Sequence, residues 1–305
     1  MSHRSTLRGA LMMLSAGVFF CVMACMIRQM ADVSSFMVVQ FRFVIGLALL
    51  GTAALFGRIR LSFTRGPLLF LRGLTGGTAV FLFFLSISKL GVGKGTVLVY
   101  SYPAFASIFG LILLKERLKP VKLLAIAAAL TGVALLAFKG GSGSGEAGGA
   151  GDMSMLASIG RYELLAILGS ALSGFSVCMI KKLHDSESSY AIFFAQCLVG
   201  LWLVIIPANV EGQSLGYAGG LTLLGIGVTA AVAQLLMTEA YNHLTVTTGS
   251  LLNMSVPVLN FVMGMVLFKE PVTAAGFAGA AIVIASCTVV ILADRRKPEL
   301  PDSGS

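Results

Sequence analysis

Three ionisable side chains stand inside apolar runs of this chain: Arg42 in FRFVIG (41–46), Arg72 in LRGLTGG (71–77) and Glu239 in AQLLMTEAYNHL (233–244). Charges at membrane depth are expensive and usually tied to function. A guanidinium there can anchor a substrate carboxylate or phosphate, and a carboxylate can supply a counter-charge or a proton-coupled switch. The alternative for all three is structural pairing or snorkelling. Arg42 lies about seven residues into its run, roughly 10 Å at 1.5 Å rise per residue, which strains the reach of a snorkelling side chain. Arg72 and Glu239 lie nearer the ends of theirs.

Polar residues also stand deeper in the runs: Tyr100, Tyr102, Gln234, Asn253 and Asn260. Each can hydrogen-bond a ligand, and each can equally bond a neighbouring helix, which contributes about 0.6 kcal/mol on average in a membrane protein. Catalytic chemistry finds no support. The G-x-x-x-x-G-K-[ST] loop is missing and the buried acids form no hydrolytic pair. Cys21, Cys25, Cys178, Cys197 and Cys287 lie in apolar segments and the three His residues stand singly, so neither a metal, a cofactor nor a disulfide framework is expected.

The elements that must position these residues are membrane helices. Hydrophobic residues make up 57% of the 305 and charged residues 11%, against roughly 45–50% and 25% in a soluble domain. The net charge of +9 gathers in short clusters between apolar runs, a topology signal and not a nucleic-acid surface. Ten segments are long and apolar enough to span a bilayer: near 10–30, 35–56, 67–88, 94–114, 121–139, 163–181, 189–208, 219–240, 246–268 and 273–293. The first is too long for a signal peptide and no A-x-A site follows it, so it is read as a retained helix. With a cytoplasmic N-terminus, basic clusters at 4–8, 58–65, 115–122, 181–182 and 295–297 fall inside. Only Arg28, Lys89, Lys94, Lys139, Arg161 and Lys269 then fall outside. Both termini are therefore expected in the cytoplasm. GGSGSGEAGGAG, between the fifth and sixth segments, reads as a flexible external linker.

The chain repeats itself. LGVGKGTVLVYSYPAFASIFGLILLKE (90–116) aligns with LTVTTGSLLNMSVPVLNFVMGMVLFKE (244–270) at an offset of 154, matching Gly95 with Gly249, Ser101 with Ser255, Pro103 with Pro257 and Lys115–Glu116 with Lys269–Glu270. CMIR (25–28) and CMIK (178–181) echo it at nearly the same offset. Five helices per half force the second half to enter the membrane upside down, an arrangement that recurs in secondary transporters. The domains are thus 1–139, an external linker at 140–162, 163–293, and a cytoplasmic tail at 294–305. Pro103 and Pro257 each remove a backbone donor from mid-helix, so a kink is expected at both and a hinge is possible chemistry for both.

These features resemble the drug/metabolite transporter superfamily, in its EamA-type ten-helix branch. The carriers are FRFVIG, LRGLTGG, the Gly–Pro–Gly spacing of the fourth and ninth segments, and the closing KERL (115–118) and KEPV (269–272). The resemblance implies an all-α integral membrane fold of two inverted five-helix repeats, with a cavity lined mainly by helices 1, 3, 4, 6, 8 and 9. It implies a non-enzymatic secondary carrier in the inner membrane that exports or exchanges a small organic metabolite, such as an amino acid or nucleotide-like compound, with protons as a candidate coupling ion. A lipid-linked flippase or lipid-modifying protein is the alternative. Two expectations follow: Arg72 and Glu239 form a gate-like ion pair, and Tyr100 and Asn253 contact a ligand from opposite halves. Lipid is the surrounding partner; substrate identity and oligomeric state are left open.

Overall fold

The computed structural model describes residues 3–30, 33–116, 119–137, 160–209, 217–270 and 274–295. In hydrocarbon every backbone donor and acceptor must be satisfied within the chain, and the apolar segments accordingly form helices. In order these are α1 (His3–Arg28), α2 (Ser35–Leu55), α3 (Gly66–Val99), α4 (Tyr102–Leu114), α5 (Pro120–Ala137), α6 (Arg161–Leu183), α7 (Ser189–Asn209), α8 (Tyr217–His243), α9 (Val246–Asn253), α10 (Ser255–Phe268) and α11 (Ala274–Arg295). Ten membrane-length spans result among the described residues, with the end of α3 from Gly95 and α4 sharing one and α9 and α10 sharing another. Most of the 140–162 linker and the tail beyond Arg295 fall outside the described residues.

Spans were expected at 67–88 and 94–114, and membrane-length spans lie at Gly66–Ser86 and Gly95–Leu114, although α3 itself extends over Gly66–Val99. It cannot be straight. Gly169 of α6 packs so closely on Leu82 that an added Cβ would lie 2.9 Å from the Leu82 Cβ. The neighbouring Ser170 hydroxyl donates to the Val99 carbonyl at 3.3 Å. A straight helix would separate residues 82 and 99 by about 25 Å. The path therefore folds back between the two spans.

True breaks occur at Tyr100–Ser101 and at Met254, just ahead of the two prolines. Pro103 has no N–H for the Val99 carbonyl, and Ser170 supplies a donor in its place. Nearby carbonyls are covered likewise: Leu98 by the Ser101 hydroxyl at 2.6 Å and Leu251 by the Cys287 thiol at 3.4 Å.

The repeat is visible in the helix ends. The bounds of α2 and α7 coincide when 154 is added, as do the last residues of α4 and α10. Lys115 and Lys269 cap those two helices with φ of 53° and 51°. This left-handed turn is costly for a residue with a Cβ, and it reverses the chain so that Glu116 N–H reaches the Gly110 carbonyl (3.1 Å) and Glu270 N–H the Gly264 carbonyl (3.2 Å).

Packing runs mostly between the halves. The first half's α3 lies on α6 and α7, α1 on α8, α2 on α7 and α8, and α5 on α11. Small residues allow this: a Cβ at Gly73 would lie 2.7 Å from the Ala195 carbonyl oxygen, and one at Gly77 2.8 Å from Gly200 Cα. The FLFFL run (81–85) serves packing, with Phe84 in a buried cluster with Phe43 and Phe193.

Candidate functional site

Two arginines are buried between the halves. Arg72 on α3 is 2% exposed; its two terminal nitrogens donate to Ser176 Oγ on α6 at 2.7 Å and to Gln196 Oε1 on α7 at 2.9 Å. Gly76, one turn on, leaves the room this guanidinium occupies, since a Cβ there would collide with it. Arg42 on α2 is 7% exposed. It donates to Gln234 Oε1 on α8 at 3.1 Å and lies 5.8 Å from the centre of the Phe20 ring on α1. Among the described residues no carboxylate forms an ion pair with either.

The two arginine sites are related by the repeat only in part, since Arg72 and Gln234 themselves fall on Ile226 and Val80. Adding 154 to Arg42 gives Gln196, and the α2/α8 and α3/α7 interfaces correspond under the repeat. Each interface holds one Arg–Gln hydrogen bond, with the arginine on helix 2 in one and on helix 3 in the other. Neutral partners satisfy some donors but leave the charge uncompensated. Arg42 Nε, Arg72 Nε and Gln234 Nε2 have hydrogen-bonding capacity that no protein group uses. An arginine at the centre of a helix in the bilayer costs about 2.5–3.5 kcal/mol on insertion scales, so an anion brought to either site would gain from an existing field.

A second polar group joins the halves at the helix breaks. Asn253 Nδ2 donates to the Tyr102 hydroxyl at 3.0 Å, which donates to the Ser250 carbonyl at 3.3 Å. Asn253 Oδ1 and the neighbouring, fully buried Tyr241 hydroxyl keep free capacity. Asn253 thus bonds Tyr102 of the other half, while Tyr100, expected to share a ligand with Asn253, caps the end of α3, half-buried. Asn260 is a further correction: it lies exposed on α10 and not in the polar interior.

The expected Arg72–Glu239 ion pair does not form. Arg72 is held by α6 and α7, whereas Glu239 has other partners. Its carboxylate accepts from Ser189 Oγ at 2.6 Å and Asn242 Nδ2 at 3.4 Å, and lies 3.5 Å from His243 Nε2. His243 in turn meets Ser5 on α1 at 3.2 Å. Beside this cluster, His184 Nε2 bonds the Thr238 carbonyl at 2.8 Å. Burial holds the His184 imidazole below its ordinary pKa, against the pull of the Thr238 bond and of Glu239. The cluster sits at the membrane face where α1 begins, the near face; α1 ends at the far face.

Residues missed in the sequence are Gln196, Ser176, Tyr241 and Lys122. Gln196 was within reach of the repeat register, as the image of Arg42. Lys122 was read as a loop charge, yet it is 4% exposed on α5 and donates to Thr245 and Thr248 hydroxyls at 3.2 and 3.0 Å.

Comparison with known proteins gives this geometry its context. The model of the EamA-like transporter family matches residues 7–138 and 160–292, one match per half. Human solute carrier family 35 member G1 is 25% identical over 284 residues, covering 90% of this chain and 76% of that protein. The pseudopaline exporter CntI of Pseudomonas aeruginosa is 23% identical over 288 residues, covering 92% and 94%. A crystal structure at 18% identity superposes with a TM-score of 0.77 over 94% of this chain and 98% of that one, and shows the shared fold.

Proposed function

Because the chain belongs to the EamA-like transporter family and is a multi-pass membrane transporter, we propose that its cargo is a small organic metabolite bearing a carboxylate or phosphate. It moves this cargo by alternating access as a secondary carrier, exporting or exchanging it across the inner membrane with both termini in the cytoplasm. The observation behind this reading is Arg72: a guanidinium 2% exposed, pre-oriented by two neutral acceptors, with a free Nε and no carboxylate partner among the described residues. Preorganised positive charge in a low-dielectric site selects anions. Tyr102, Asn253 and Tyr241 supply neutral hydrogen-bonding groups where the broken spans of the two halves meet. The relatives' printed roles, a solute carrier and an exporter, agree with transport of a small molecule. Glu239 and His243, 3.5 Å apart at the near face, are the pair assigned to coupling with a proton gradient.

The flippase alternative draws on one feature, a groove of about 300 Å³ between α1, α10 and α11. Leu14, Val18, Leu259 and Ile284 line it with Ser255 and Thr288, and no cation is there for a headgroup phosphate. The carrier reading is therefore preferred. Counterflow in proteoliposomes against amino acids, nucleotides and neutral analogues, with and without a pH gradient, tests it. Acidic substrates should exchange, and Arg72→Gln should reduce exchange about a hundredfold, the scale of one lost charge-assisted bond. Arg72→Lys should recover little, because an ammonium cannot reproduce the fork that spans Ser176 and Gln196. Folded protein that exchanges nothing, or that prefers neutral solutes and ignores the loss of Arg72, would overturn the proposal.

A further inference from the structure

The start of α3 is held by a residue of the other half. Its N-cap position is Arg65, whose side chain makes no capping bond, so the first amides of the helix need an acceptor from elsewhere. Glu187, in the turn between α6 and α7, supplies one. Its Oε1 accepts the Arg65 backbone N–H at 2.6 Å and its Oε2 accepts from the Ser62 hydroxyl at 3.1 Å. The next residue, Ser188, donates to the Arg60 carbonyl at 3.5 Å. Glu187 is 5% exposed, and among the described residues no cation pairs with it. A buried carboxylate met only by neutral donors is a costly way to cap a helix, where a serine or threonine at the cap itself would suffice.

The other contacts of the turn give that carboxylate a role beyond capping. The turn is anchored on its own half, by His184 Nε2 at the Thr238 carbonyl (2.8 Å) and by Ser189 Oγ at Glu239 (2.6 Å), and so travels with α8. Glu187 and Ser188 reach across to the first half. The seam between α3 and α7 begins here. One turn in from Arg65 is Leu69, which lies with Ile192 of α7 in one buried cluster, 2% and 0% exposed. Two turns in, about 10 Å along the helix, Arg72 donates to Gln196. Glu187 therefore stands at the mouth of the seam that leads to the buried guanidinium, with an apolar layer between.

We infer that Glu187 is the latch of the near face, the point where the halves part to let cargo reach Arg72. This rests on the carrier reading above. When the halves rock against each other, the α6–α7 turn leaves with α8, Glu187 releases Arg65 and Ser62, and the layer of Leu69 and Ile192 divides. Carboxylate and amide then both face water. The hydration that burial denied the carboxylate offsets the two lost bonds, so the latch can open without leaving a polar group unpaired. The structure holds it closed.

Thiol labelling of the full chain in nanodiscs, read by peptide mass spectrometry, tests this without a known cargo. Leu69→Cys and Ile192→Cys, made separately, report the two walls of the seam to a membrane-impermeant maleimide. Both should label slowly while Glu187 is present. Glu187→Ala should speed labelling at both positions about tenfold, the low end for loss of a bond to a charged group. Ser62 is exposed, so Ser62→Ala carries the test should Glu187→Ala not fold; it should speed both about threefold, the scale of a weaker bond. Faster labelling at position 69 with none at 192 would mean that α3 frays while the halves stay together. Glu187 would then be a static cap and the inference overturned. Unchanged labelling at both positions would overturn it equally. A chain that opens both walls yet exchanges no solute in proteoliposomes would instead defeat the carrier reading and leave the latch standing.

Discussion

Where α4 meets α6, and where α10 meets α1, one sequence pattern has produced two different contacts. On the first side Ser101 bonds Ser170 at 2.8 Å, and Gly174 brings α6 so close that an added Cβ would lie 2.6 Å from the Ala106 nitrogen. On the second side the image of Ser170, at the offset of 153 that relates CMIK to CMIR, is Gly17, and the Ser255 hydroxyl finds no partner among the described residues. The image of Ala106 is Asn260, which is exposed, and a groove runs beside it. The repeat thus sets where helices end and break. A few unlike side chains, together with the conformational state, decide which of the two seams is shut.

The largest expected contrast between the seams comes from bulk. Ala106→Leu forces a side chain into a seam packed at backbone distance and should destabilise the protein by about 3 kcal/mol. Asn260→Leu, on the open image, should leave the thermal unfolding midpoint in nanodiscs nearly unchanged. Equal losses at the two positions would mean that the α1/α10 seam is closed in the membrane. A smaller effect should follow from exchanging the serine. Gly17→Ser offers Ser255 the partner that Ser101 already has and should stabilise by about 0.6 kcal/mol, with Ser170→Gly losing a similar amount. A Gly17→Ser protein less stable than wild type would show that the open seam has no room even for a hydroxyl.

The smallest expected effect contrasts the two membrane faces. Because burial lowers the His184 pKa in the fold, the unfolded chain binds the proton more readily, with an ordinary value near 6.5. Stability from this group is therefore complete above that value and is lost as pH falls below it. His184→Gln should flatten the decline in unfolding midpoint between about pH 7.5 and 5.5, whereas Glu270→Gln at the far face should not. An unaltered slope in the histidine variant would remove His184 from the pH response.

Much of this fold could be read from residues alone, because hydrocarbon permits so few backbone solutions. The ten spans, the inverted repeat and the interruptions ahead of Pro103 and Pro257 all follow from apolar length, matched register and a missing donor. Side-chain direction was harder. Depth along a helix is a matter of counting, but azimuth is set by packing, so Arg72 and Glu239 could share a level and still face different neighbours. Asn260 was misplaced likewise, since the break at Met254 resets which face of α10 turns inward. Gln196 was legible in principle, because it is the residue that the repeat sets against Arg42.

The interleaving of the halves bears on how the chain is made. Helices α1, α2, α3 and α5 find their main partners only in α6, α7, α8 and α11. When the ribosome has delivered the first five spans, Arg72 has neither Ser176 nor Gln196, and Arg42 lacks Gln234. Two bare cations must then be sheltered by the insertion machinery, by headgroups or by water until the second half arrives. Biogenesis, more than the finished bilayer, is the stage at which these two charges are most exposed to risk.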